Sequence, residues 1–336
     1  AILSFQWCAD PDGNPATDDD VPDVSSNSWG FSPLFHGVPE GDPTFWPSID
    51  VCEAAGCVVV FAAGNEGYYG SETLRTPSDR ITSSVNILSV GSVNADQKTV
   101  TGFSSRGPSG IDHFTKKPEV MAQGDNVRSA KNGGGYTSMS GTSMACPHVA
   151  GAVALLRSAF PESTVYEVKA ALLFSAVDLG ATGEDNDYGM GRINVMDAYN
   201  FLKNNALIGD SKELSITSEQ TEVYLSLHGG MANANRNYMM LGSVSGTSPG
   251  IPLPGGLVLP TNWDFFTTFT LLLSNSVFFQ NFSGSLDANG DKVAILDIDR
   301  PADPSFIGTK LSFAFCTTPP GGYDFVSNAW DVEITP

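Results

Sequence analysis

Ser140-Gly141-Thr142-Ser143-Met144-Ala145-Cys146-Pro147-His148-Val149-Ala150-Gly151 is the stretch on which the fold turns. A glycine-bearing turn delivers a serine, and an apolar run with many small residues, Val149 to Leu156, follows at once. The pattern predicts a buried helix with Ser143 in its first turn. Helix N-termini present unpaired backbone N–H groups and a partial positive charge. A serine there can hold an oxyanion against its own N–H. Taken alone, Gly-Thr-Ser reads more readily as an ordinary helix cap, because Thr and Ser are preferred at that position. Two other stretches reverse that preference.

The first is Val58-Val59-Val60-Phe61-Ala62-Ala63-Gly64-Asn65-Glu66-Gly67. Four bulky residues in a row suit a strand buried on both faces. The run ends in small residues and an asparagine, and sites in open α/β sheets gather beyond the carboxyl ends of such strands. The second is Ser26-Asn27-Ser28-Trp29-Gly30, a polar turn after a short run. Together with Gly-Thr-Ser-Met-Ala-x-Pro-His-Val-Ala-Gly, this set resembles the subtilases, the subtilisin-like serine proteases. Gly102-Phe103-Ser104-Ser105-Arg106-Gly107-Pro108, Lys117-Pro118-Glu119-Val120 and Asp187-Tyr188-Gly189-Met190-Gly191-Arg192-Ile193-Asn194 match further landmarks of that family. The resemblance covers roughly residues 1–204. It implies that Ser143 is the nucleophile and Asn65 the oxyanion donor. It further implies that Ser28, Trp29 and Gly30, with Ala62, Ala63 and Gly64, line the specificity pocket and pair with substrate backbone.

Subtilases carry their triad in the chain order Asp, His, Ser. Neither the Asp-[Ser/Thr]-Gly motif nor the His-Gly-Thr-His motif of the family occurs here. The expectation is therefore a chain that starts downstream of both, with Ala1 to Cys8 as the remainder of a helix. None of the four histidines offers a replacement base. His148 lies five residues after Ser143, about 140° round the helix and off the nucleophile's face. His36 falls in a Pro/Gly-rich loop, His113 in a surface-like connection and His228 in the later β region. The polypeptide by itself is expected to be nearly inactive, since an oxyanion hole and binding without the triad retain only about 10³–10⁴ over water, a figure established on subtilisin itself.

A length of 336 residues suggests two domains, and 41% apolar content supplies real cores. A net charge of −20 argues against nucleic acid and against anionic membrane surfaces. No apolar run reaches the length of a membrane span. The five cysteines form no framework and read mostly as reduced, buried thiols. No paired Cys/His motif has zinc-ligand spacing. Asp10-Pro11-Asp12-Gly13-Asn14, leading into Asp18-Asp19-Asp20, reads as a solvated acidic loop, with structural Ca²⁺ as the alternative. No other cofactor is expected.

Phe45 to Ala55 reads as a helix ending at Gly56, Asn86 to Val93 as a strand, Thr164 to Ala176 as a helix, and Asn194 to Leu202 as a last helix. Strands alternating with helices indicate a doubly wound, mostly parallel α/β sheet, here lacking its first β-α-β units. From about Leu207 short alternating or aromatic runs replace helical spacing. Val223–Leu227, Phe269–Leu273, Val277–Phe279, Val293–Leu296 and Leu311–Phe315 predict an antiparallel β-sandwich. Asp287-Ala288-Asn289-Gly290-Asp291 predicts a hairpin turn. The domain reading is a truncated subtilisin-like catalytic domain over 1–206 and a β-sandwich accessory domain over 207–336.

The functional expectation is a serine endopeptidase acting on protein or peptide substrates outside the cell, the location being implied by the resemblance alone. Two rivals stand beside it. A sedolisin-like acid protease would suit the low isoelectric point, yet that group uses an Asp where Asn65 stands. A degenerate protease scaffold could serve binding, with Trp263, Phe265, Phe266, Tyr323 and Trp330 of the later region stacking on polysaccharide or a cell surface. Core packing is the plainer role for those rings.

Overall fold

The computed structural model describes residues 1–14, 17, 19–81, 87–216, 222–298, 303–320 and 322–336. They form two compact units, Ala1–Lys203 and Asn204–Pro336.

The first unit is built on a parallel sheet of four strands in sequential order: β1 (Val24–Asn27), β2 (Val58–Ala62), β3 (Leu88–Val93) and β4 (Val120–Gln123). Asn86, expected to open β3, lies outside the described residues. Before β1 comes helix α1 (Ile2–Ala9); between β1 and β2 come a helical turn, α2 (Pro33–His36), and α3 (Trp46–Ala54). Every residue of β2 is buried, and the period of two explains the unbroken apolar run. Val59 and Phe61 face Phe5 of α1 with Ile49 and Cys52 of α3. Val58, Val60 and Ala62 face the opposite layer. That layer is led by helix α4 (Thr142–Ala159), reached through the antiparallel pair β5 (Val127–Ala130) and β6 (Tyr136–Met139). Helix α4 lies across all four sheet strands. Its buried positions, among them Ala145, Cys146, Val149, Ala152, Val153 and Leu156, recur at helical spacing. The small ones let the helix axis approach the sheet closely.

Helices α5 (Val165–Phe174) and α6 (Val195–Asn204) complete this layer. Thr164 starts α5 with a capping box, its side chain accepting from Glu167 N–H while Glu167 accepts from Thr164 N–H. The outer edge of β4 is closed by the Gly191–Ile193 segment, through Met121 N–H to Gly191 O at 2.8 Å and Ile193 N–H to Met121 O at 3.0 Å. Strand β1 pairs only with β2 among the described residues, so its other edge stands open.

The second unit holds two larger sheets. One is mixed, in the order β14-β10-β16-β17-β8, from β8 (Glu213–Ser215), β10 (Asn237–Ser243), β14 (Ser283–Ser285), β16 (Lys310–Thr317) and β17 (Trp330–Thr335). The other, in the order β13-β15-β9-β7, is antiparallel, from β7 (Leu207–Gly209), β9 (Glu222–His228), β13 (Phe279–Gln280) and β15 (Asp291–Asp297). A small hairpin joins β11 (Ile251–Pro252) to β12 (Val258–Leu259).

Two sequence expectations change here. The Phe269–Leu273 run is not a strand but falls in and just after helix α7 (Phe265–Leu272), started by Asp264 in a capping box with Thr267. Strand β17 pairs with β8 in parallel, so the unit is not wholly antiparallel. The Asp287–Asp291 turn lies between the antiparallel partners β13 and β15, with Asp287 N–H donating to Asp291 O at 2.9 Å, while β14 just before it pairs with β10 of the other sheet.

Candidate active site

Helix α4 begins at Gly141 without any side-chain cap. Its first turn is tied instead to the end of β2. Thr142 N–H donates to Asn65 Oδ1 at 2.9 Å, and the Thr142 hydroxyl contacts the same oxygen at 3.0 Å and Gly64 O at 3.1 Å. A backbone N–H can only donate, so the Asn65 atom facing it must be the carbonyl oxygen. Both protons of the Asn65 Nδ2 amide are thereby left to donate elsewhere. That nitrogen lies at Gly141, 3.6 Å from where a Cβ on that glycine would sit, while Ser143 N is 3.7 Å from the same point. Among the described residues Ser143 N–H has no acceptor, whereas the next N–H, of Met144, is taken by Gly141 O at 2.9 Å. Two sets of unspent donors thus lie within 3.7 Å of one point at Gly141, the residue that starts the helix.

The nucleophile candidate is fixed from a second direction. Pro147 stands four residues after Ser143 and has no N–H, so Ser143 O lacks its helical donor. Ser28 Oγ supplies one at 2.9 Å, and Ser143 Oγ returns a bond to Ser28 O at 3.4 Å. The polar turn after β1 is therefore stitched to the first turn of α4. Beside it, Cys146 Sγ lies 3.6 Å from Ser26 Oγ, buried, with its thiol pKa pushed up by that burial. The thiol packs and stays protonated.

Trp29 turns its ring into an aromatic cluster, 5.2 Å from Phe61 and 5.3 Å from Phe45 between centroids, with Nε1–H donating to Asn27 Oδ1 at 3.1 Å. Ala62 and Ala63 are buried at the end of β2. Gly64 has φ 124°, and a Cβ there would fall 2.6 Å from Ser105 Oγ, so the chain can turn here only as glycine. Glu66, almost fully buried, accepts from Asn65 N–H at 2.9 Å and pairs with Arg75 at 2.6 Å. Thr142, Glu66, Arg75 and Pro147 thus belong to the site although sequence reading did not single them out. Glu66, Thr142 and Pro147 lie within the quoted motif stretches, which was the available signal; Arg75 carried none.

Among the described residues no histidine hydrogen-bonds Ser143. His148 is exposed, its Nδ1 2.8 Å from Met144 O on its own helix. His36 Nδ1 accepts from Ser32 N–H at 2.9 Å, and His113 lies 3.1 Å from Glu72. His228, in the second unit, lies 3.1 Å from Asp291.

The other expectations can be located as well. Asp12 N–H donates to Asp20 Oδ2 at 2.8 Å in the acidic loop, whose Asp18 lies outside the described residues. No group of three or more His, Cys, Asp or Glu among the described residues is arranged to hold a metal. All five cysteines are free. No helix among the described residues is long and apolar enough to cross a membrane. In the second unit Trp330 is buried and Phe266 packs among Phe279 and Phe313, whereas Trp263 and Phe265 are exposed. Five rings therefore do not make one open stacking face.

Known proteins share this arrangement of sequence. The chain is 39% identical over 160 residues to Subtilisin DY of Bacillus licheniformis, covering 47% of this chain and 53% of that protein. It is 33% identical over 214 residues to Serine protease AprX of Bacillus subtilis, covering 57% and 46% respectively. Subtilisin of Bacillus pumilus is 36% identical over 174 residues, 52% of this chain and 58% of that one. The chain thus spans about half the length of the curated relatives it matches. A family profile described as "Subtilase family" matches residues 4–191, more than half of the chain, and the chain belongs to that family of serine proteases.

Proposed function

We propose that this chain carries the nucleophile and oxyanion half of a serine endopeptidase that cleaves peptide bonds through an acyl-enzyme. Ser143 Oγ attacks the scissile carbonyl, and the Asn65 Nδ2 amide and Ser143 N–H receive the negative charge on the tetrahedral oxygen. Ser28 to Gly30 and Ala62 to Gly64 hold the substrate chain on either side. The histidine that takes the Ser143 proton, and the aspartate that orients it, come from outside the described residues. The chemistry draws on no cofactor, and Ca²⁺ at the Asp12–Asp20 loop would act only as a brace. We read the second unit as a β-sandwich accessory domain and the protein as acting outside the cell on protein substrates.

The observation that carries this reading is the bond from Thr142 N–H to Asn65 Oδ1, which turns the amide donors outward beside an uncapped serine N–H. The test is hydrolysis of a casein-derived peptide by the chain alone and by the chain supplied with a subtilase segment bearing the Asp and His. The chain alone should stay near background. The supplemented chain should turn over, and Ser143→Ala should abolish that turnover. Full activity of the chain alone, or turnover that survives Ser143→Ala, overturns the proposal. A binding role on polysaccharide is the second reading, resting on exposed Trp263 and Phe265, and retention of the whole chain on insoluble polysaccharide would favour it.

A further inference from the structure

Arg75 occupies the space between the two stretches proposed to receive substrate. A Cβ on Gly30 would fall 2.8 Å from Arg75 Cβ and 3.3 Å from its Cδ. A Cβ on Gly64 would fall 3.0 Å from Arg75 Cγ. The arginine stem therefore lies against both glycines at once, and each is glycine where the stem passes. Its backbone is clamped to both sides as well: Arg75 N–H donates to Ala63 O at 3.0 Å, and Thr76 exchanges bonds with Phe31 at 2.9 and 3.0 Å.

The guanidinium does not point a free charge into this space. Nε lies 3.1 and 3.0 Å from the two Glu66 oxygens, and Nη2 lies 2.6 Å from Oε1. The Glu66 side chain is 5% exposed and that of Arg75 25%. Glu66 is further held by Asn65 N–H at 2.9 Å and Ser105 Oγ at 3.3 Å. A two-point pair of this geometry fixes the arginine plane and cancels its charge.

We propose that the Arg75–Glu66 pair is a plug that sets the specificity of this site, admitting only small uncharged side chains at the residue whose carbonyl is attacked (P1). The inference rests on the protease reading for the identity of the pocket. The stem takes up the depth an aromatic P1 ring would need. The paired charges give neither an acidic nor a basic P1 side chain a net attraction.

The experiment is calorimetric titration of the whole chain with tripeptide boronic acids that differ only in P1: Ala, Phe, Glu and Lys. P1 Ala should bind at least about tenfold tighter than the other three. Arg75→Gly should raise P1 Phe affinity at least about tenfold and reverse the Ala/Phe order. Arg75→Met, which keeps bulk and removes charge, should leave Phe excluded and serves where the glycine variant does not fold. Glu66→Gln should raise P1 Glu about tenfold or more by leaving the cation unpaired. A ranking led by Phe in the parent chain, a ranking unmoved by Arg75→Gly, or no binding of any boronate overturns the inference. Peptide hydrolysis by the supplemented chain is scored separately. Turnover with an unmoved ranking sinks the plug alone, whereas a shifted ranking without turnover sinks the protease reading alone.

Discussion

Two helix starts in this molecule are built in opposite ways. At α7 the donors are spent: Asp264 Oδ1 accepts from Thr267 N–H at 3.0 Å, Asp264 N–H is returned to Thr267 Oγ1 at 3.1 Å, and Oδ2 takes four more bonds from Ser243, Val244 and Ser245. At α4 no side chain caps the turn, the Thr142 N–H is used to aim an amide, and Ser143 N–H is left over. A capped start stabilises its helix by about 1 kcal/mol. An uncapped one forgoes that gain and keeps its donors for an incoming negative charge. The contrast separates a turn built to hold from a turn built to react.

The difference can be tested from its largest consequence downwards. In the chain supplied with the Asp/His segment, Ser143→Ala should lower kcat by about 10⁶, the magnitude established on subtilisin of the same family, as read by burst and steady-state kinetics. Asn65→Ala should cost about 10²–10³ in kcat with KM little changed, again a figure established on subtilisin. A KM effect alone would mean that the amide binds substrate rather than transition state. Thr142→Val keeps the N–H bond to Asn65 but removes the hydroxyl contacts, and should lower kcat about tenfold, one hydrogen bond's worth. At the other helix start the readout is stability. Asp264→Ala should destabilise the second unit by about 1 kcal/mol in chemical denaturation, with no change in peptide hydrolysis.

Asp264 also gives the contrast a pH dependence. Partial burial would raise its pKa, but hydrogen bonds from Thr267 N–H, the hydroxyls of Ser245 and Ser243, and Ser245 N–H outweigh that and hold the carboxyl well below the usual range. A pKa depressed on folding contributes stability above the unfolded value of about 3.9 and loses it as pH falls through the folded value. The melting temperature of the second unit should therefore drop as pH is lowered from about 4, and Asp264→Asn should flatten that slope.

The parallel core was legible because its signals are local and redundant. Val58–Ala62 is apolar at both periods' worth of positions, and the Gly-Thr-Ser turn sits directly before an apolar helical stripe. The corner between Asn65 and Ser143 was legible only through the resemblance, since 77 residues separate Asn65 from Thr142 and no spacing rule joins them. Helix α7 was misread because its Phe and Thr residues favour strands, while the deciding signal was the short Asp264-to-Thr267 box. That Arg75 pairs with Glu66 was not legible, although Glu66 lies in a quoted motif. Both residues fall in an irregular loop, where side-chain direction follows from the fold and not from a period.

Pro147 has one more effect. By denying Ser143 O its partner within α4, it hands the anchoring of that residue to Ser28, in the turn after a strand whose far edge is unpaired among the described residues. Fraying at that margin would slacken the grip on the serine while the long helix behind it remained wound. On warming, this protein would lose its aim first and its shape only afterwards.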